Sequence, residues 1–216
     1  MTKKQMSQRA SSLFAKVASM YDHYDYKHAL AILKSDFAEE LIDVCEVLLR
    51  FRITEEQIKR PGGNESEIPK ALSELLRPRG WLERKLTAKL VVDNDDVVSS
   101  DTHLIDYMKN KVAFDLEWNS KDQTFDRDLY AFRAFFEYNK ISAGILVTRS
   151  DELENYFKSL GEYGDKHGDM RRYNDKFGAS TTHMGKLLPR LEAGRSGGCP
   201  VLALGITKKL IVTRSH

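Results

Sequence analysis

Cysteine is close to absent: Cys45 and Cys199 are the only two, and neither has a second cysteine or a histidine at metal-ligand spacing. This excludes a disulfide framework and a zinc site, and two buried thiols suit a reducing cytoplasm. Long apolar runs are also missing. None approaches the roughly 20 residues of a bilayer crossing, and the start, MTKKQMSQRASS, has no apolar stretch of leader length after its lysines. Neither a membrane span nor a secretory leader is expected. Proline is sparse (5 of 216), glycine is no more than ordinary (13), and no segment repeats or falls to low complexity, which excludes collagenous, disordered and solenoid chains. What is present, 41% hydrophobic and 31% charged residues, is the make-up of a soluble globular protein long enough to bury its own core.

Charge of one sign is absent overall, at +2, but it is unevenly spread. Residues 170–216 carry nine Lys or Arg against Asp175 and Glu192, a local +7 that leaves about −5 for the remainder. Residues 91–128 hold ten acids, among them Asp93, Asp95, Asp96 and Asp101, against four bases. An acidic centre before a basic tail suits a metal-binding centre beside a polyanion-binding surface, although solvated charge of this kind is also ordinary protein surface.

Hydrophobic periodicity divides the chain. Leu13, Phe14, Val17, Ala18 and Tyr21 share one helical face, predicting an amphipathic arm over 1–21. Asp36 followed by Glu39 reads as a capping box for a helix ending near Arg50. RPGGNESEIP reads as a loop, and Pro69 opens a short helix to about Leu76. From Trp81 the period becomes 2, through LTAKLVV, HLIDYM and KVAFDLEW. Asp126 is placed to cap a helix bearing Leu129, Phe132, Phe135 and Phe136, and ISAGILVT follows as a buried strand parallel to its predecessor. Ser150 can cap a helix to about Leu160, EYGDKHGDMRR reads as loop, MGKLLPRL as a helix interrupted at Pro189, and GCPVLALGIT as the last central strand. The fold class is α/β: a single domain, 1–216, with a mixed central sheet flanked by helices, its catalytic sheet core within 81–150.

Asp115 and Glu117 alternate with Phe114, Leu116 and Trp118, so both carboxylates leave one face of a strand. Two acids about 7 Å apart repel each other unless a cation lies between them, and a divalent ion with oxygen ligands is the usual answer. Asp106 joins them if the turn around Lys109-Asn110-Lys111 folds the preceding strand back. Three convergent carboxylates would hold Mg²⁺, which lowers the pKa of a bound water and steadies charge on a phosphate. The plain alternative is a strand with acids on its solvent face. Asp122, Asp126 and Asp128 are read as loop and cap residues.

DYMKNKVAFDLEWNSK followed by DRDLYAFRAFFEYNKISAGILVTR resembles the catalytic segment of type II restriction endonucleases of the BglII and BstYI kind, within the PD-(D/E)XK nuclease fold. The likeness extends from about Tyr21 to Ile206, through YDHYDYKHALAIL, ALSELLRPRGW, FGASTTHMGKLL and GRSGGCPVLALGI. It implies Asp106 and Asp115 as metal ligands, joined by the Leu116 carbonyl, with Glu117 as general base or ligand to a second metal. Glu117 stands where that kind has Gln and the wider fold Lys, and Ile105 where the wider fold has Pro. The resemblance also implies DNA-reading loops within 170–200. Asn119, Ser120 and Lys121 would meet the major groove, Ser180, Thr181, Thr182 and His183 would contact base edges, and Lys176, Lys186, Arg190 and Arg195 would contact phosphates. An ST-turn and helix cap is an equal reading of the Ser/Thr run.

Together these imply a Mg²⁺-dependent, homodimeric, cytoplasmic restriction endonuclease that cuts both strands of a palindrome with a GATC-like centre, leaving a four-base 5′ overhang. Such an enzyme is paired genetically with a DNA methyltransferase in a restriction-modification system. The alternatives are a DNA-binding or repair module whose acids are structural, and a glycosidase using Asp115 and Glu117, which the basic C-terminal segment disfavours.

Overall fold

Thr2 starts the fold by a reciprocal cap: its side chain accepts from the Gln5 N–H, and the Gln5 side chain accepts from the Thr2 N–H. The helix so begun, α1 (Lys3–Ala18), buries Ala10, Phe14 and Val17. The computed structural model describes residues 1–60, 67–92, 96–164, 168–178 and 180–213, without the side chains of 88–92 and 96–102. The expected loop at 61–66, the charges of Asp93, Asp95, Asp96, Asp101 and Arg214, and the middle of EYGDKHGDMRR lie outside what is described.

YDHYDY, given no element by the sequence pattern, is a strand, β1 (Tyr21–Tyr26), whose first residue is buried and donates its hydroxyl to the Leu48 carbonyl at 2.9 Å. Two helices follow where one was expected. They are α2 (Ala29–Asp36) and α3 (Ala38–Arg50), divided at Phe37 with φ −128° and ψ 41°. Asp36 therefore does not cap α3. It ends α2 and pairs with Lys3 at 3.0 Å. Short β2 (Ile53–Thr54) and α4 (Glu55–Lys59) precede α5 (Glu67–Leu76), which carries Pro69 in its first turn. Gly80, at φ +85°, closes the 3₁₀ turn after it.

Strands β3 (Leu82–Val92), β4 (Asp96–Lys109) and β5 (Val112–Glu117) form an antiparallel meander. The β4–β5 turn places Asn110 at φ 49°, and α3 grips it: Lys109 Nζ lies 2.7 Å from Asp43, and the Asn110 amide donates to Glu40. Helix α6 (Thr124–Glu137) returns the chain to β6 (Ala143–Arg149), parallel to β5. Asp126 is the third residue of α6 and not its cap, because the carbonyls of Lys121, Asp122 and Gln123 already accept from the first-turn N–H groups. Beyond α7 (Leu153–Ser159), the predicted loop pairs its ends as β7 (Glu162–Gly164) and β8 (Met170–Arg172), next to a stack of Tyr163 on Tyr173 at 4.7 Å. Then come α8 (Tyr173–Lys176), α9 (Met184–Glu192), β9 (Val201–Ile206) and β10 (Ile211–Val212). α9 runs through Pro189 uninterrupted. Proline forfeits one helical hydrogen bond there, while Leu187 and Leu191 keep the helix buried on both sides of it.

Among the described residues the main sheet has the order β1-β9-β6-β5-β4-β3, parallel across β9, β6 and β5 and antiparallel on both flanks. One face packs Phe114, Leu116, Ile145 and Val147 against α1, α3 and α5. The other packs Ala113, Leu146 and Ala203 under Phe125, Leu129 and Phe132 of α6 and Leu187 and Leu191 of α9. The predicted mixed α/β sheet flanked by helices is thus present. No helix among the described residues is long and apolar enough to cross a membrane.

Gly144 of β6 lies directly beneath Phe132, so close that a Cβ there would fall within contact of the ring. Gly144→Ala is expected to cost about 1–3 kcal/mol as overpacking, read by urea unfolding, and adding Phe132→Leu is expected to recover part of the loss.

Candidate active site

The α3-anchored turn sets β4 against β5 so that Tyr107 faces Phe114, and one step further Asp106 comes opposite Asp115. The Asp106 N–H donates to Asp115 Oδ1 at 2.8 Å, fixing that carboxylate by a backbone bond. Every residue of β5 is buried, so Asp115 (3% exposed) and Glu117 (5%) are not on a solvent face. They lie on the α6 side, and α6 brings a fourth acid. Asp128, read from sequence as a loop or cap residue, is buried in the helix interior with its Oδ2 unpartnered. Its spacing shows why: Phe125, Asp128, Leu129 and Phe132 share the inward face of α6. Asp106 sits at the mouth, and Asp106, Asp115, Arg127 and Asp128 line a cleft of about 170 Å³.

These acids raise one another. Asp115 is held well above the usual carboxylate range, by burial first and then by the charges of Asp128 and Asp106. Glu117 is pushed up to about 8, chiefly by burial and then by Asp128, while the Ser120 hydroxyl and Arg127 pull it down. Asp128 and Asp106 are raised as well, each by desolvation first, with Arg127 opposing. The carboxyls of Glu117 and Asp128 act on each other's protonation, Asp128 raising Glu117 and Glu117 lowering Asp128. The Arg127 guanidinium supplies the local positive charge, 2.9 Å from Asp128 and 3.5 Å from Glu117. Leu116, between the two strand acids, pairs with Val147 and turns its side chain into the opposite core.

Two separate segments are zipped at the carboxyl end of β5. Thr182 N–H donates to the Ser120 carbonyl, Asp122 N–H to the Ser180 carbonyl, and Lys121 bridges to Thr181. The expected reading loops are therefore neighbours, but their members differ in access. Ser180 and Lys121 are exposed, and Ser120 is half-buried. Thr182 is fully buried and gives its hydroxyl to the Glu117 carbonyl at 3.2 Å, so in this arrangement it braces β5 and offers nothing to a base edge. Thr181 bonds Arg149 and the Gly178 carbonyl, and the Asn119 amide donates to the Lys176 carbonyl at 3.1 Å. His183 Nδ1 lies 2.5 Å from Asp151 Oδ1.

The expected phosphate contacts divide likewise. Lys176 is half-buried and donates to the Ile58 and Arg60 carbonyls, tethering that segment. Arg190 is spent on Asp122 and Asp126, at 3.4 and 3.2 Å, and Arg195 reaches Asp126 at 3.5 Å. Among the described residues, Lys186 alone of the four has neither an ion pair nor a side-chain hydrogen bond.

A mixed sheet with acids on its central strands, flanked by helices, is the restriction-endonuclease-like architecture. The family described as restriction endonuclease BglII/BglIII matches residues 21–206, and the chain belongs to that family, whose members cleave DNA at specific sites. No curated protein matches the chain.

The Glu117 shift carries a sign. The folded protein binds this proton more tightly than the unfolded chain does, so the stability tied to it is full below about pH 4.5 and is lost as pH rises through about 8. Urea unfolding in chelator is expected to show that decline, and Glu117→Gln to flatten it. An equal slope in both proteins would remove Glu117 as its source.

Proposed function

We propose that the protein is a Mg²⁺-dependent, homodimeric type II restriction endonuclease that hydrolyses both strands of a short palindromic site. The observation that supports this best is that Asp106, Asp115 and Asp128 line one cleft, with the buried Glu117 close enough to feel the Asp128 charge. Four mutually repelling carboxylates are costly unless a cation belongs among them. Among the described residues no three acids, histidines or cysteines converge closely enough to form a ready-made metal cage. The donor set nevertheless fits a hard divalent ion: it is all oxygen, with the buried Asp128 Oδ2 unpartnered. Asp106 and Asp115 would hold the ion, with the Leu116 carbonyl, and Asp128 is the further candidate. When bound, it supplies Lewis-acid charge to the scissile phosphate and an acidified water.

The protein's own groups do the rest. Asp115 is oriented by the Asp106 N–H. Glu117, poised at about 8, exchanges a proton near neutral pH, which suits a general base for the attacking water. Arg127 balances Glu117 and Asp128 from a largely exposed position. Two copies about a two-fold axis would present two such clefts to antiparallel strands. Asn119, Ser120, Lys121, Ser180, Thr181 and His183 edge the surface assigned to base reading, and a GATC-like centre with a four-base 5′ overhang is the target proposed. A cognate methyltransferase gene and a cytoplasmic setting belong to the same reading.

Asp115→Asn is expected to raise the barrier by at least about 3 kcal/mol while DNA binding survives, measured as plasmid cleavage in Mg²⁺ beside a binding assay. Cleavage within tenfold of wild type would sink the carboxylate assignment. Lys186→Ala is expected to flatten the log K against log salt slope by about one unit, whereas Lys176→Ala, whose ammonium is already committed to carbonyls, leaves it unchanged.

A further inference from the structure

Arg149 ends β6 with its guanidinium on the sheet face opposite the carboxylate cleft, 5.4 and 5.3 Å over the Phe157 and Phe177 rings. It is only 3% exposed. Its Nε donates to the Thr182 carbonyl at 3.0 Å, and one terminal nitrogen donates to the Thr181 hydroxyl. Asp151 is the acid whose charge reaches it, and that carboxylate is already held by His183 Nδ1 and the Gly185 N–H at 3.0 Å. A buried guanidinium held on its Nε and one terminal nitrogen by neutral oxygens, with no carboxylate of its own, is an uncompensated charge with donors to spare.

It is not sealed in. Arg149 lines a pocket of about 270 Å³ together with Asn174, His183 and Lys186, and Phe157 and Phe177 supply its apolar wall. Of the two acids there, Asp151 is occupied as described and Glu154 pairs with Lys158 at 2.6 Å. Arg149 and Lys186 are the charges left unmatched. The two phenyl rings stack on each other at 3.9 Å, leaving no slot between them for a base. The volume is below the roughly 300–1,000 Å³ of pockets that enclose drug-sized ligands, and suits a phosphate with part of a sugar. The position, beyond the carboxyl ends of parallel β5, β6 and β9, is where α/β sheets place ligands.

We propose that this pocket is a second, non-catalytic phosphate-binding site, in which the Arg149 fork and Lys186 hold a phosphate group, supplied by the backbone of bound DNA or by free phosphate. Arg149 presents a planar donor fork and Lys186 a mobile ammonium, the usual pair of phosphate binders. Occupancy is coupled to the cleft through Thr182: its carbonyl accepts from Arg149 while its hydroxyl donates to the Glu117 carbonyl. Only the DNA source rests on the nuclease reading.

The test uses the full-length, metal-free protein and follows the ring resonances of His183 by NMR. Inorganic phosphate is expected to shift them saturably. Lys186→Gln, a change at the pocket's partly exposed rim, weakens that binding about tenfold, on the scale of one charge-assisted hydrogen bond. Asp115→Asn, across the sheet, leaves it unchanged. A short duplex is added in a second arm: displacement of free phosphate assigns the site to the DNA backbone, and its absence to free phosphate. Unmoved His183 resonances in both arms, or wild-type phosphate affinity in Lys186→Gln, overturns the proposal. Plasmid cleavage in Mg²⁺ by the same preparation reports separately on the nuclease reading.

Discussion

The structure depends most on the repulsion among acids that share one dry space. Asp115 is fully enclosed, with Asp106, Glu117 and Asp128 close enough for each to raise its affinity for a proton, directly or through its neighbours. Such an arrangement survives only if the surrounding fold over-determines it. The surroundings do so here by rigid means: a tight turn clamped to α3 by Lys109 and Asn110, a backbone donor on Asp115, two hydroxyls from Thr148 and Thr182 on the Glu117 carbonyl, and Arg127 between two of the carboxylates.

This constraint explains the division of labour between the sheet's faces. The face toward α1, α3 and α5 is continuous apolar packing, where Phe114, Leu116, Ile145 and Val147 supply stability. The face toward α6 is apolar only as far as Ala113 and Leu146; beyond these, toward the carboxyl end of β5, the acids begin. α6 follows the same gradient, with Phe125, Leu129, Phe132 and Phe135 in the core and Asp128 in the cleft. The apolar core and the acid cleft thus share elements but not surfaces.

Charge in the C-terminal part is likewise divided between structure and surface. Counted in sequence, its cations look like one polyanion-binding patch. In the fold, Arg190 and Arg195 are tied to acids at the start of α6, and Lys176 to peptide carbonyls, so they join α9 and α8 to the rest of the protein. Lys186 and Arg149 face a pocket instead.

Much was legible in sequence because short-range periodicity carries it. The alternation in KVAFDLEW showed that Asp115 and Glu117 share a face, the Lys109-Asn110-Lys111 turn predicted that Asp106 would join them, and the strand, helix, strand order after Glu117 gave parallel β5 and β6. The same code misled where polar residues took buried positions. Asp128 has the spacing of a core residue but the chemistry of a cap, and Thr182 the chemistry of a reading hydroxyl but the position of a brace. Periodicity tells which residues share a face. Whether that face meets water, carboxylate or carbonyl depends on contacts between segments as distant as Glu117 and Thr182, and only the tertiary structure decides those.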